Sequence, residues 1–170
     1  SGKSTLFNAL CGIRQATANY PGVTVEKKSG RIALDHIPAL ITDLPGIYSN
    51  DPRSPDEAIA LKVLDGSVAD TAKPDAMLFV IDASQLSRAL PLFAALAGKR
   101  IPMAVALTMT DVLAVEQIEL DIPLLEKELG VPVLSVCAHR KDEVDQLRHR
   151  LAALVKSDRF RMPQLHDQAL

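Results

Sequence analysis

Gly2-Lys3-Ser4-Thr5, with Asp43-Leu44-Pro45-Gly46 beginning forty positions after Lys3, constrains this chain more than any other feature. Gly-Lys-Ser is the back half of the phosphate loop G-x-x-x-x-G-K-[ST]. In that loop backbone N–H groups ring the phosphates, the lysine reaches the β/γ oxygens and the hydroxyl sits on Mg²⁺. Lys3 and Ser4 place a cation and a hydroxyl at a helix N-terminus, where the dipole and free N–H groups already favour an anion. Ser1 and Thr5 flank them in the same candidate phosphate site. A chance Gly-Lys-Ser before a surface helix is the bland alternative. Asp43 shifts the balance, because a carboxylate closing an apolar strand can hold Mg²⁺ through water while the Gly46 N–H approaches the γ-phosphate. Asp-Leu-Pro-Gly alone is also a common turn.

Between the two lies Asn19-Tyr20-Pro21-Gly22-Val23-Thr24-Val25-Glu26. Thr24 offers a second hydroxyl for Mg²⁺ when a γ-phosphate is present; the plain alternative is a Pro-Gly turn into a strand. Three motifs in the right order favour a nucleotide-triphosphate clamp over three coincidences. Thr108-Met109-Thr110-Asp111 stands where a guanine-reading loop places Asn-Lys-x-Asp. A carboxylate at Asp111 accepts from two adjacent N–H donors on the guanine edge, a pairing that adenine lacks. Capping the helix after a strand is its competing role. Thr108 lacks the two-sided amide bridge that an Asn makes there. Ser135-Val136-Cys137-Ala138 falls where backbone N–H groups would meet the guanine oxygen.

Helical and strand-like segments alternate along the chain, the pattern of βα units on a mostly parallel, doubly wound sheet with helices on both faces. In such a sheet ligands sit outside the C-terminal strand ends. Residues 5–11 read as a helix with Leu6, Phe7 and Leu10 inward and Gly12 as its stop. Residues 23–25 and 31–34 read as extended chain around a polar bend over 26–30, and 39–42 as a strand delivering Asp43. Ser54, Pro55 and Glu57 supply a cap, a first-turn proline and a capping-box partner, so a helix runs over 55–65 and closes at Gly66. Further strands are expected at 77–81, 103–107 and 133–136, and helices at 86–96, 124–129 and 143–155. A phosphate loop follows a central parallel strand, and no residues stand before Ser1 to form it. The expected sheet therefore lacks its first central strand, and the chain is expected to belong to a longer protein. Residues 1–155 read as one nucleotide-binding domain, 156–170 as a polar linker.

With 170 residues, 48% hydrophobic and 24% charged, the chain has the make-up of one globular domain with a real core. A net charge of −2 argues against nucleic-acid binding, which needs a basic face. Cys11 and Cys137 are too sparse for a disulfide framework or a zinc site. His36, His139, His149 and His166 are scattered, so no iron site is expected in this chain. The apolar runs at 76–81 and 103–107 are too short to span a bilayer.

The runs at 1–10, 19–28, 43–49 (Asp-Leu-Pro-Gly-Ile-Tyr-Ser), 54–57 (Ser-Pro-Asp-Glu) and 80–84 (Val-Ile-Asp-Ala-Ser) together resemble the cytoplasmic G domain of bacterial ferrous iron transport protein B. The resemblance extends from Ser1 to about Leu154. It implies a Ras-like P-loop GTPase fold that binds GTP and GDP with Mg²⁺ and hydrolyses slowly. It also implies a membrane permease region in the same longer protein, moving Fe²⁺ inward, with this domain at the cytoplasmic face of the bacterial inner membrane. Carried over by residue, Gly2 to Thr5 cradle phosphates and Gly22, Val23, Thr24, Val25 and Glu26 form the first switch with Thr24 on Mg²⁺. Asp43, Leu44, Pro45 and Gly46 begin the second, and Asp111 reads the base. Ras-like enzymes orient the attacking water with a Gln after the second switch Gly. Ile47 stands there, so the water must be oriented by backbone groups, a monovalent cation or a rearranged switch. K⁺ activation is a further implication of the resemblance. Two other classes stay open: a nucleotide-sensing module with negligible hydrolysis, and a ribosome- or tRNA-associated GTPase, against which the acidic balance counts.

Overall fold

Alternation along Met103-Ala104-Val105-Ala106-Leu107 decides how the helices pack. The computed structural model describes residues 2–47 and 51–156, and in it the strand Met103–Thr108 (β5) is buried at all six positions. It lies at the centre of a parallel sheet between β4 (Met77–Asp82) and β6 (Val133–Ser135). Ala104 and Ala106 join the core that holds Leu6, Phe7 and Leu10 of α1 (Lys3–Cys11) and Val144, Leu147 and Leu151 of α6 (Lys141–Lys156). Met103, Val105 and Leu107 share the opposite core with Phe93 of α3 (Leu86–Ala97) and Leu129 of α5 (Ile122–Leu129). A period of two in side-chain direction thus sorts small residues to one face and large ones to the other, and helices cover both.

A second sheet is antiparallel, in the order β1 (Gln15–Asn19), β2 (Glu26–Leu34), β3 (Ile37–Asp43). Among the described residues β3 pairs only with β2, and β4 only with β5. Here the expected polar bend at 26–30 is corrected, since those residues form the first half of β2. β1 was not anticipated either. Its five residues are all exposed, so it carries none of the alternation that marks a half-buried strand. Ladder pairing from Asn19↔Glu26 to Gln15↔Gly30 draws both polar stretches into extended chain. Gly30 suits its place because a β-carbon there would stand 2.5 Å from the Cys11 sulfur.

α2 (Pro55–Asp65) obeys its local signals in full. The Glu57 N–H donates to the Ser54 hydroxyl at 3.2 Å, Pro55 sits in the first turn, and Gly66 ends the helix with φ 73°. Residues 23–25, expected as extended chain, belong instead to the turn that precedes β2, whereas the other expected helices and strands begin and end within two residues of expectation. An extra short helix, α4 (Thr110–Val115), follows β5, and a single 3₁₀ turn (Ala83–Gln85) precedes α3. The expected linker falls, beyond Lys156, outside the described residues. No described helix is long and apolar enough to cross a membrane.

Candidate nucleotide site

Gly2 precedes α1 in a left-handed conformation, φ 75°, with no side chain capping the helix. A glycine adopts that conformation without steric cost, and the amides of the first helical turn lack intrahelical partners. Lys3 sends its ammonium back to the end of β3. It stands 2.9 Å from Asp43 Oδ1 and donates to the Leu44 carbonyl. The two halves of the expected clamp therefore meet. Ser4 and Thr5 are exposed on the first turn of α1, Leu44 and Pro45 are half-buried, and Gly46 is exposed. Ile47 packs against the cluster of Leu61, Leu64, Leu96 and Ile101. Ser1, Tyr48 and Ser49 lie outside the described residues.

Thr108 closes β5, 5% exposed, and its hydroxyl donates to the Ile81 carbonyl at 3.3 Å. A β-carbon on Gly2 would come within 3.7 Å of the Thr108 hydroxyl oxygen, so the phosphate loop lies against the end of β5. The hydroxyls of Thr110 and Ser135 are 3.0 Å apart, joining the loop after β5 to the end of β6. Met109, at φ 61°, occupies the N-cap of α4, and Asp111 is exposed in the first turn. The capping role weighed for Asp111 is thus not realised. Val136 is buried and its N–H donates to the Leu107 carbonyl at 2.9 Å, while Cys137 and Ala138 are half-buried beside it.

The Pro21-Gly22 pair forms a β-turn: the Val23 N–H donates to the Tyr20 carbonyl at 3.3 Å, with Gly22 at φ 76° as a type II turn requires. Gly22, Val23, Thr24 and Glu26 are exposed and Val25 is buried. The β2–β3 register sets Lys28 opposite Asp43, so Thr24 is not brought opposite the Lys3–Asp43 pair. Burial, and then the charge of Asp43, push the Tyr20 hydroxyl above its ordinary pKa.

Among the described residues no group of three or more His, Cys, Asp and Glu side chains could hold a metal ion; His166 lies outside them. Both cysteines are free thiols. The oxygens of Ser4 and Asp43 are the ligand type that Mg²⁺ takes.

Two contributors escaped sequence reasoning. Arg148 of α6 donates from one guanidinium nitrogen to the carbonyls of Ala9 and Leu10, at 2.8 and 2.7 Å, and so satisfies the C-terminal end of α1. Tyr20 is 1% exposed. An aromatic residue within a polar loop is a hint of such burial, whereas nothing in the sequence links Arg148 to α1.

Residues 1–151 match the family model of ferrous iron transport protein B. The chain belongs to that family. Fe(2+) transporter FeoB of Leptospira biflexa is 37% identical over 151 residues, covering 89% of this chain and 21% of that protein. The chain thus spans about a fifth of the length of this ferrous iron transport protein B relative. The solved cytosolic domain of Legionella pneumophila FeoB superposes with a TM-score of 0.80 at 37% identity, covering 97% of this chain and 62% of that one. The cytosolic domain of T. maritima FeoB in its GMPPNP form gives 0.83 at 32% identity, over 95% and 62%. The expected α/β fold of a G domain is borne out.

Proposed function

We propose that this chain is a GTP-binding, slowly hydrolysing switch domain of a ferrous iron uptake transporter, working at the cytoplasmic face of the membrane. The observation that carries the reading is the 2.9 Å approach of Lys3 to Asp43 at the N-terminus of α1. Amides of Gly2 to Thr5 and the Lys3 ammonium hold the phosphates. Ser4 and Asp43 would hold Mg²⁺, which when bound offsets the phosphate charge. Thr24 joins them when a γ-phosphate is present. Asp111 accepts from the guanine edge, Thr108, Met109 and Thr110 flank it, and residues 136–138 lie behind the base. The GMPPNP form of a relative supports guanine as the base. The name Fe(2+) transporter on another supports iron as cargo of a permease region in the whole protein.

Calorimetric titration with GTP, GDP and ATP in Mg²⁺ tests the reading. Guanine nucleotides are expected to bind and ATP to bind about 100-fold more weakly, because adenine leaves the Asp111 carboxylate without its two donors. Preference for ATP overturns the role of Asp111, and no binding overturns the whole.

Ile47 favours a second reading, a nucleotide-sensing module with negligible turnover. Its apolar side chain packs inward, against α2 and α3, and cannot orient water. Single-turnover hydrolysis with and without K⁺ separates the two: phosphate release stimulated by K⁺ supports the enzyme, and binding without release supports the module.

A further inference from the structure

The chain leaves β5 toward Asp111 through a strained residue. Met109 stands at φ 61°, in the left-handed region that a side chain with a β-carbon enters only at a cost. Such a conformation persists where its neighbours are held, and here they are held on both sides. The Thr108 hydroxyl donates to the Ile81 carbonyl at 3.3 Å, fastening the end of β5 to β4. Beyond Met109 the Thr110 and Ser135 hydroxyls lie 3.0 Å apart, one donating and the other accepting, which fastens the loop to β6. Ser135 stands opposite Leu107 in the parallel ladder, and the next N–H, that of Val136, donates to the Leu107 carbonyl at 2.9 Å. The start of the 136–138 segment is therefore fixed to β5 by main chain, and the residue before it holds the residue before Asp111.

An asparagine at the first position of Asn-Lys-x-Asp would brace such a loop with a two-sided amide. Thr108 brings one hydroxyl proton, and that proton goes to Ile81. Bracing toward the base falls to the third position of the pattern. We propose that Thr110 and Ser135 form a latch that positions Asp111 for the guanine edge, and so are specificity-determining residues of the nucleotide site. This rests on the nucleotide reading above. Neither hydroxyl needs to touch the base: the latch sets where the Asp111 carboxylate stands relative to the segment behind it. A carboxylate that accepts two N–H groups at once tolerates less displacement than one that accepts a single group. Hypoxanthine lacks the exocyclic amino group of guanine and offers that carboxylate one N–H instead of two. Loosening the latch thus weakens guanine more than hypoxanthine.

Titration of the intact protein with GDP and with inosine diphosphate in Mg²⁺ tests this, in the unaltered chain, Thr110→Val, Ser135→Ala and the two combined. The unaltered protein is expected to prefer GDP by about tenfold or more, the effect of one hydrogen bond to a charged group. Each single substitution is expected to lower that preference about threefold, a small effect for a hydrogen bond because Ser135 is exposed. The double substitution should lower it no further than either single one, since the two hydroxyls share one bond. Ser135→Thr, which keeps a hydroxyl, should retain the unaltered preference. An unchanged preference in both single variants overturns the proposal. So does an equal loss for the two nucleotides, because a loop that is merely less stable binds both worse. Additive losses in the double variant overturn the pairing, and a preference lowered as far by Ser135→Thr as by Ser135→Ala overturns the part given to the hydroxyl. Equal binding of both nucleotides by the unaltered protein overturns the proposal together with the role of Asp111. Binding of neither overturns the nucleotide reading itself, an outcome distinct from a preference that ignores the two hydroxyls.

Discussion

Lys3 and Asp43 share their ion pair unequally: the carboxylate side chain is 8% exposed and the lysine 35%. Taking away the cation leaves a buried anion, whereas taking away the anion leaves a cation that water reaches. Lys3→Met is therefore expected to cost about 1–3 kcal/mol, discounted for the exposed partner. Asp43→Asn is expected to cost less than about 1 kcal/mol. Both should abolish Mg²⁺-dependent triphosphate binding. Scanning calorimetry beside titration checks this, and equal losses of stability would count against the asymmetry.

Asp111 is exposed on the first turn of α4 and caps nothing. Asp111→Asn should leave stability within about 0.5 kcal/mol. Replacing an acceptor by a donor opposite the guanine N–H groups should weaken GDP binding by about 100-fold or more. Unaltered GDP affinity in this variant would remove Asp111 from the site.

Gly30 faces the side chain of Cys11 so closely that an added β-carbon would stand 2.5 Å from Sγ and 2.9 Å from Cβ. Gly30→Ala is expected to destabilise by about 1–3 kcal/mol through overpacking. Removing the sulfur with Cys11→Ala should recover part of that loss, leaving the contact with the remaining β-carbon. A double-mutant cycle in urea reads the coupling; strict additivity would show that the strain lies elsewhere.

Cys11 and Tyr20 hold their protons more tightly folded than unfolded. Burial raises the thiol above its ordinary 9.0, with Arg148 opposing and Asp43 adding, and burial followed by Asp43 raises the phenol above 10.0. A raised folded pKa means that the folded state binds more protons, so the contribution is fully present below the unfolded value and lost as pH climbs past it. Unfolding free energy should fall above pH 9, by up to about 1.4 kcal/mol per pH unit per group. Chemical denaturation from pH 8 to 11 measures the slope. Cys11→Ala and Tyr20→Phe should each flatten it, and a wild-type slope in both variants would refute the assignment.

Much of the site was legible because its chemistry is local. A lysine and a hydroxyl at a helix start, and a carboxylate at a strand end, are readable as residue types in order, and the structure brings Lys3 and Asp43 together as that order implied. Thr110 and Ser135 were legible as members of two loops but not as hydrogen-bonding partners, since 25 residues separate them. Arg148 is further still, reaching Leu10 across 138 positions.

The amino-acid sequence by itself determined the ends of α2, the strands of the parallel sheet and the residue types offered to phosphate and metal. Caps, glycine stops and runs of buried apolar residues act within a few positions of one another and need no distant partner. Only the tertiary structure decided that Gln15–Asn19 is a strand, that Glu26 to Gly30 is not a bend, and that Tyr20 is buried against α2. Those outcomes depend on which surfaces meet once the chain has closed on itself, and a strand exposed at every position bears no pattern from which its pairing could be read.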